Sequence, residues 1–580
     1  MPSDEARAGR PRSAWAVLPV VGYAVAAYLV TRHLWGDPGH VTVADNPDDA
    51  TQAAWFLTWT PWALTHGHLP LFTDRIGAPD GVNLLWNTPV PLLGVLLAPL
   101  TALVGAAWVV TLLTALGPLL TATSGMCALR ALGALRLPAV LGGLVYGFSP
   151  AMTAKSLGHA DLTMQPLLPW LLVLGVRLAT ASDRRRRRAV LLALLAAAQL
   201  LVDQELLLLS GLALALVLLV LLAARPGRLA ALASAAPSYG LALAVFAVPA
   251  GPLLAFQLVG PRAGHGSPFT VSSFKADLQS YVVPSRLQLL APAAARSRAE
   301  HFTGGITEQT AFLGWPLLLL AVAVLVVLWR RLPVRACLLG ALALSIGALG
   351  PELAVGGSDT GIVLPWDVVA RLPVVQNALA SRLPLLADLL LAAGLGLALD
   401  VVVREHRSRA PLAVAVLLVA LLPALPAPLR ARPVEPVPEF FTSAAAAGLA
   451  ARGSVLVLPY PTGTETRPMR WQAAAGLAFR MPGGFFIGPA DDGQLYVGGQ
   501  PRASQALLAD LAAGRPGPAD PAAARRQFLA DLRFWGVGTV VLGPTVHDAG
   551  LAAFVSGALG AGPVLTGGVQ VWVTGLAGQR

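Results

Sequence analysis

The stretch SDRRRRRAVLLALLAAAQLLVDQELLLLSGLALALVLLVLLAARPGR, residues 182–228, decides the fold class. A run of arginines, Arg184–Arg188, opens an apolar segment near 188–203. Asp203 and Glu205 interrupt it, a second apolar segment fills 205–224, and Arg225 and Arg228 close the pair. Two helices of this length each approach the ~20 residues that cross a bilayer. Basic residues stand at both outer ends and acidic ones at the turn between, so the arginines mark the cytoplasmic side and the acidic turn the outer side.

The same grammar extends both ways along the chain. Apolar segments recur near 13–32, 106–126, 137–151, 163–181, 230–256, 311–329, 336–350, 383–401 and 410–429, which makes about eleven spans with the first pair. With the N-terminus inside, the inner loops hold Arg130, Arg136, Arg177, Arg330, Arg331, Arg335, Arg404, Arg407 and Arg409. The first outer segment, 33–105, has only Arg75 against Asp37, Asp45, Asp48, Asp49, Asp74 and Asp80. The segment after Arg7, Arg10 and Arg12 is read as a retained span rather than a signal peptide, because no small-residue cleavage site follows it. Composition agrees. The chain of 580 residues is 56% hydrophobic and 12% charged, against about 25% charged in soluble domains. The net charge of +11 comes almost wholly from loop arginines, Lys155 and Lys275 being the only lysines, so nucleic acid is not a partner. Cys127 and Cys337 sit in or beside apolar segments, which excludes a disulfide framework or a cysteine metal site.

From about 430 the pattern changes. Strand-like runs at 454–459, 537–543 and 569–573 alternate with helical stretches near 503–514, 521–535 and 546–559, and Asp520-Pro521 opens one helix with a cap and a first-turn proline. The fold class is thus a polytopic α-helical membrane protein, residues 1–429, with a small extracytoplasmic α/β domain at 430–580. Two stretches of the first outer segment bear on the site. Residues 51–65 place Trp55, Trp59 and Trp62 at helical spacing, which reads as a helix lying on the outer membrane surface and broken near Pro61. The proline-rich apolar run 89–104 is open to three readings: a surface helix, a re-entrant helix or a span.

Asp45-Asn-Pro-Asp48-Asp49 lies between the first span and the tryptophan segment. A carboxylate there can take a proton from an acceptor hydroxyl, bind a divalent cation or orient a sugar. The plainer reading is a helix cap: Asp48 or Asp49 would cap a helix starting at Ala50. His159-Ala-Asp161 in a short outer loop reads as two metal ligands, a hydrogen-bonded pair or a solvated pair. Asp203 and Glu205 are either functional charges near bilayer depth or ordinary turn residues. The sequence has no Walker loop, strand-linked GxGxxG, HExxH or CxxC, and it fixes no cofactor; a divalent cation is one role open to the acidic residues.

The stretches Asp45-Asn-Pro-Asp-Asp-Ala-Thr-Gln-Ala-Ala-Trp-Phe-Leu-Thr-Trp59, His66-Gly-His-Leu-Pro70, Pro79-Asp-Gly-Val-Asn83, Gly147-Phe-Ser-Pro150, His159-Ala-Asp161 and Gln204-Glu205, in this order of spans, resemble the GT-C superfamily of membrane glycosyltransferases. Leu456-Val-Leu-Pro-Tyr-Pro461 with Met469-Arg-Trp-Gln472 resembles the tails of actinobacterial members. The resemblance implies an inverting transfer of a sugar from a polyprenyl-phosphate donor to an envelope glycan, lipid or protein acceptor on the outer face. Asp48 or Asp49 would serve as base or acceptor-orienting group in place of the superfamily's Asp-x-Asp, which is missing here, with Asp45 binding substrate. A leaving phosphate calls for positive charge. Candidates for that and for substrate binding are Lys155, His159, Asp161, Glu205 and above all Arg382, at the mouth of a span. A lipid flippase or transporter, and a non-catalytic protein of envelope assembly, are the rival readings; no internal repeat supports the former.

Overall fold

A computed structural model describes residues 14–224, 228–270, 273–372 and 375–576. Arg7, Arg10, Arg12 and Arg225 lie outside the described residues. A helix lies at each of the apolar segments: Ala14–Thr31, Ala106–Ala131, Arg136–Gly147, Leu168–Thr180, Arg185–Leu200, Gln204–Ala223, Arg228–Val259, Trp315–Val327, Leu332–Ala348, Leu383–Glu405 and Ala410–Leu421. Six, by length and apolarity, can cross a membrane: those at Val17–Leu34, Ala106–Ala131, Gln204–Ala223, Leu232–Val259, Ala380–Glu405 and Arg407–Ala424. Others are short. The helix Arg136–Gly147 rises about 18 Å at 1.5 Å per residue before Ser149 caps a new turn at Pro150–Lys155.

The chain forms two compact units, one made of the segments up to Gly36, Thr111–Phe246 and Val271–Ala431, the other of Asp37–Val110, Ala247–Thr270 and Arg432 onward. In the first unit the helix Leu383–Glu405 is central, two thirds of its apolar window being buried (67%). Small residues let its neighbours approach. A Cβ on Gly142 would stand 3.2 Å from the Ala392 carbonyl, and Cβ atoms on Gly143 and Gly147 would stand 2.5 and 2.6 Å from the carbonyls of Ala122 and Pro118. These glycines, four residues apart, bring Arg136–Gly147 against Ala106–Ala131 backbone to backbone, as small residues do between membrane helices.

The second unit is built on a mixed four-stranded sheet in the order Val564–Thr566, Val569–Val573, Val537–Leu542, Ser454–Leu458. The last two strands are parallel, pairing Val540 with Leu456 and Val541 with Val457; the others are antiparallel. All five residues of Ser454–Leu458 are buried, so both faces are covered. Leu456 and Leu458 pack on the helices Ala503–Ala512, Pro521–Phe534 and Asp548–Leu559 through Leu508, Phe528, Leu532 and Leu551. Val455 and Val457 face the other way, toward Trp55, Trp59, Phe441, Met469 and Trp471.

That second cover corrects two expectations. The tryptophan segment is not a surface helix. Trp55 and Trp59 are 1% and 2% exposed, in the core of this unit, and the Trp55 indole N–H donates to Gln472 Oε1 at 2.9 Å. Helical spacing of tryptophans marks an apolar face, and here a sheet rather than lipid removes that face from water. Nor is the helix broken: it runs Pro47–Thr65 through Pro61. The run 89–104 forms two short helices, Pro91–Leu96 and Ala98–Val104, neither long enough to cross a bilayer.

Candidate functional site

The acidic cluster stands at the start of the helix Pro47–Thr65, with Asn46 at the cap and Pro47 in the first turn. Capping by Asp48 or Asp49 of a helix beginning at Ala50 is therefore not what is found; both carboxylates sit inside the first turn, where the helix dipole favours negative charge. The two differ in their partners. Asp49 Oδ2 accepts from the Asn46 side-chain amide, a contact internal to the helix start. Asp48 Oδ1 accepts the Thr466 hydroxyl at 2.7 Å, from the segment just before the helix Arg467–Ala474. Asp45, Asp48 and Asp49 are all half-buried.

Segments distant in sequence fix this helix. Gln52 Nε2 donates to the Phe485 carbonyl at 2.8 Å. Gln472 Nε2 donates to the carbonyls of Arg75 and Phe479 at 2.7 and 2.9 Å. Across the same seam the backbone N–H groups of Ala78 and Gly77 donate to the carbonyls of Met481 and Gly483, and Arg480 pairs with Asp74 at 2.5 Å. The Met469-Arg-Trp-Gln motif is thus largely packing: Met469, Trp471 and Gln472 are buried. Arg470 is different. It is half-buried, and neither its Nε nor its Nη2 has a hydrogen-bond partner among the described residues. Composition gave no reason to single it out from the other arginines.

The remaining sequence candidates gather in the first unit. Lys155 is fully buried at the end of the helix Pro150–Lys155, and its Nζ meets Glu308 Oε1 at 2.5 Å. Ser381 Oγ donates to the other Glu308 oxygen at 2.5 Å. The next residue, Arg382, pairs with Glu205, whose Oε1 also accepts from the Leu379 backbone N–H at 2.7 Å. Asp203 caps the helix Gln204–Ala223 through the Leu206 N–H at 2.5 Å and is 1% exposed, so it is no solvated turn residue. His159 and Asp161 belong to the same electrostatic group: His159 acts on Glu308, and Asp161 on Asp203 and Arg382.

Burial alone would raise the Glu308 carboxyl. The cations Lys155 and Arg382, with His159, outweigh it and hold the group down at about 2. For Lys155 burial wins: the ammonium is pushed below its ordinary value even though Glu308 favours its charge. Lys155 is committed to Glu308 and reaches no solvent, whereas Arg382 keeps part of its side chain accessible (17%) and an Nε with no hydrogen-bond partner among the described residues. Sequence reasoning missed Glu308 and Ser381. The pairing of Lys155 with Glu308 spans 153 positions. The visible signal was an acid in the otherwise neutral run Gly304-Gly-Ile-Thr-Glu-Gln-Thr310 at the foot of an apolar segment. Among the described residues no three His, Cys, Asp or Glu side chains stand close enough together to hold a metal ion by themselves.

Comparison of the fold adds a relation. The arabinofuranosyltransferase AftD from Mycobacteria superposes with a TM-score of 0.55 at 17% identity, over 98% of this chain and 40% of that one. This chain therefore spans well under half of that protein's length. The oligosaccharyltransferase of Archaeoglobus fulgidus, in its complex with Zn and sulfate, superposes with a TM-score of 0.50 at 13% identity, over 94% of this chain and 70% of that one. At these identities the likeness is one of fold. No curated protein matches by sequence. A family model does match, across residues 19–422, and the chain belongs to that family, described as a domain of unknown function, DUF6311.

Proposed function

We propose that this chain is a GT-C-type inverting glycosyltransferase. It transfers one sugar from a polyprenyl-phosphate donor to an envelope glycan, lipid or protein acceptor on the outer face of the membrane. The observation that carries the reading is Asp48: a half-buried carboxylate in the first turn of a helix whose far side is locked into a folded core, held through one oxygen by Thr466. General bases need such fixed placement with access to substrate. The fold shared with a sugar transferase supports the class.

In this proposal Asp48 takes the proton of the acceptor hydroxyl as that oxygen attacks the anomeric carbon. The bond to the lipid phosphate breaks, and the phosphate leaves with the bonding pair. Asp49 and Asp45 set the local charge and orient the sugar. Within the first unit we assign Arg382 to phosphate binding, since a guanidinium offers two parallel donors to phosphate oxygens. Glu205 holds Arg382 in position, and Lys155 with Glu308 braces the adjoining Ser381. His159 and Asp161 complete the substrate-binding group. No step is routed through a metal. The chain carries eleven spans from a cytoplasmic N-terminus, with 33–105 and 430–580 outside, as the arginine distribution implies.

The experiment is transfer by purified protein from labelled polyprenyl-phosphate sugars, presented in mixed micelles with envelope extracts as acceptor. Label moving into the acceptor, with inversion at the anomeric carbon, is the expected result. Donor movement across vesicles without any transfer would replace this reading with a flippase.

A further inference from the structure

One ionisable side chain in the first unit takes no part in the proposed reaction. Asp388 sits on the helix Leu383–Glu405 and is 4% exposed. The Ser149 hydroxyl and the Ala151 backbone N–H donate to it, yet Oδ2 has no hydrogen-bond partner among the described residues. The nearby hydroxyls are spent elsewhere: Tyr146 donates to Gln165 Oε1 at 2.7 Å, and Tyr281 to the Ser345 carbonyl at 2.6 Å. A buried carboxylate oxygen without a donor is costly, and such a group inside a helical membrane bundle marks a ligand site more often than a structural one.

The space beside it has a definite character. Asp388 lines two cavities, of about 540 and 460 Å³, which share Leu313 and Leu391 with it. Both fall within the roughly 300–1000 Å³ of small-molecule sites. The larger lies among the helices Trp315–Val327, Leu332–Ala348 and Leu383–Glu405, the smaller among Ala14–Thr31, Leu383–Glu405 and Ala410–Leu421. Their walls are aliphatic and aromatic almost throughout, so water has few partners there and an alkyl chain has many.

We infer that this pair of cavities is a binding site for a hydroxyl-bearing lipid, its alkyl portion filling a cavity and its hydroxyl donating to Asp388 Oδ2. The site is independent of sugar transfer and stands or falls by itself. Where Asp388 is ionised the site selects for a donor, because a carboxylate oxygen facing a group with no proton to give stays unsatisfied, so the competition is read at alkaline pH.

The test uses the full chain in detergent and a long-chain primary alcohol carrying a photoreactive diazirine in its alkyl portion, with crosslinks mapped by mass spectrometry. Crosslinks are expected on the wall peptides around Leu313–Leu325 and Leu385–Leu391. Excess unlabelled alcohol should compete roughly tenfold better than its methyl ether, which has the same chain and no donor. Asp388→Asn is nearly isosteric. Its carbonyl oxygen must serve Ser149 and Ala151, which turns its amide N–H toward the ligand, so the preference for alcohol over ether should vanish while crosslinking persists. Equal competition by alcohol and ether in the unmutated protein, or absence of crosslinks on those walls, overturns the inference without reference to any variant.

Discussion

Lys155 and Glu308 are both buried and meet in one contact, so removing one partner strands the other. Glu308→Gln is expected to cost about 3–5 kcal/mol, read by thermal or denaturant unfolding in detergent, since it leaves an unpaired buried ammonium. The pH dependence has a definite sign. The folded-state carboxyl lies at about 2, below the ordinary value near 4.3, so the pair's contribution is complete above about pH 4.3 and is lost as pH falls toward 2. The stability gap between the parent and Glu308→Gln should hold constant from neutral pH to about 4.5 and close below it. A gap that stays open as pH falls to about 2 would contradict the assignment. Arg382→Gln has another signature: a weakened hold on a phosphate should reduce transfer by about 10²–10³-fold while the fold persists, checked by comparing initial rates and melting temperatures. The sequence displayed Lys155, His159, Asp161, Glu205 and Arg382 as polar residues where apolar runs end, which is why they could be named. It showed Glu308 only as a lone acid in a neutral run, because pairing across 153 positions leaves no local trace of the partner.

Helices and strands carry a second set of consequences. The Cβ of an alanine at Gly147 would stand 2.6 Å from the Pro118 carbonyl and 2.7 Å from the Ala122 amide nitrogen, backbone atoms that cannot turn aside. Gly147→Ala should therefore destabilise by about 1–3 kcal/mol, whereas Gly211→Ala, with nothing within 4 Å, should be neutral or mildly stabilising. Melting curves of the two variants decide the matter. Trp55→Ala should cost about 3–5 kcal/mol and loosen the C-terminal sheet, a result foreign to a helix lying in lipid. Apolar runs located the long helices, and short strand-like runs located the three strands Ser454–Leu458, Val537–Leu542 and Val569–Val573. This reading fails for the tryptophan helix for a physical reason. An amphipathic face records only that something apolar covers it, and here the cover comes from the C-terminal segment, whose Gln472 on the helix Arg467–Ala474 accepts from Trp55 across 417 positions.

Among the described residues, length and hydropathy assign six helices as long enough to cross a membrane, while the apolar segments of the sequence read as about eleven spans. The short helices, such as Arg136–Gly147 with 12 residues, are where the two readings differ. Reporters settle the sidedness: a fusion after Arg580 should signal from outside the cell and one within 182–184 from the cytoplasm, and a cytoplasmic C-terminus would invert the scheme. The central claim is that Asp48 removes the acceptor proton during sugar transfer. Its most direct measurement is single-turnover transfer from a labelled polyprenyl-phosphate sugar by the parent protein and by Asp48→Asn, with donor binding recorded in parallel. The account predicts a fall of about 10²–10⁴-fold in the transfer rate with donor binding retained; an Asp48→Asn protein that transfers at the parental rate would contradict it.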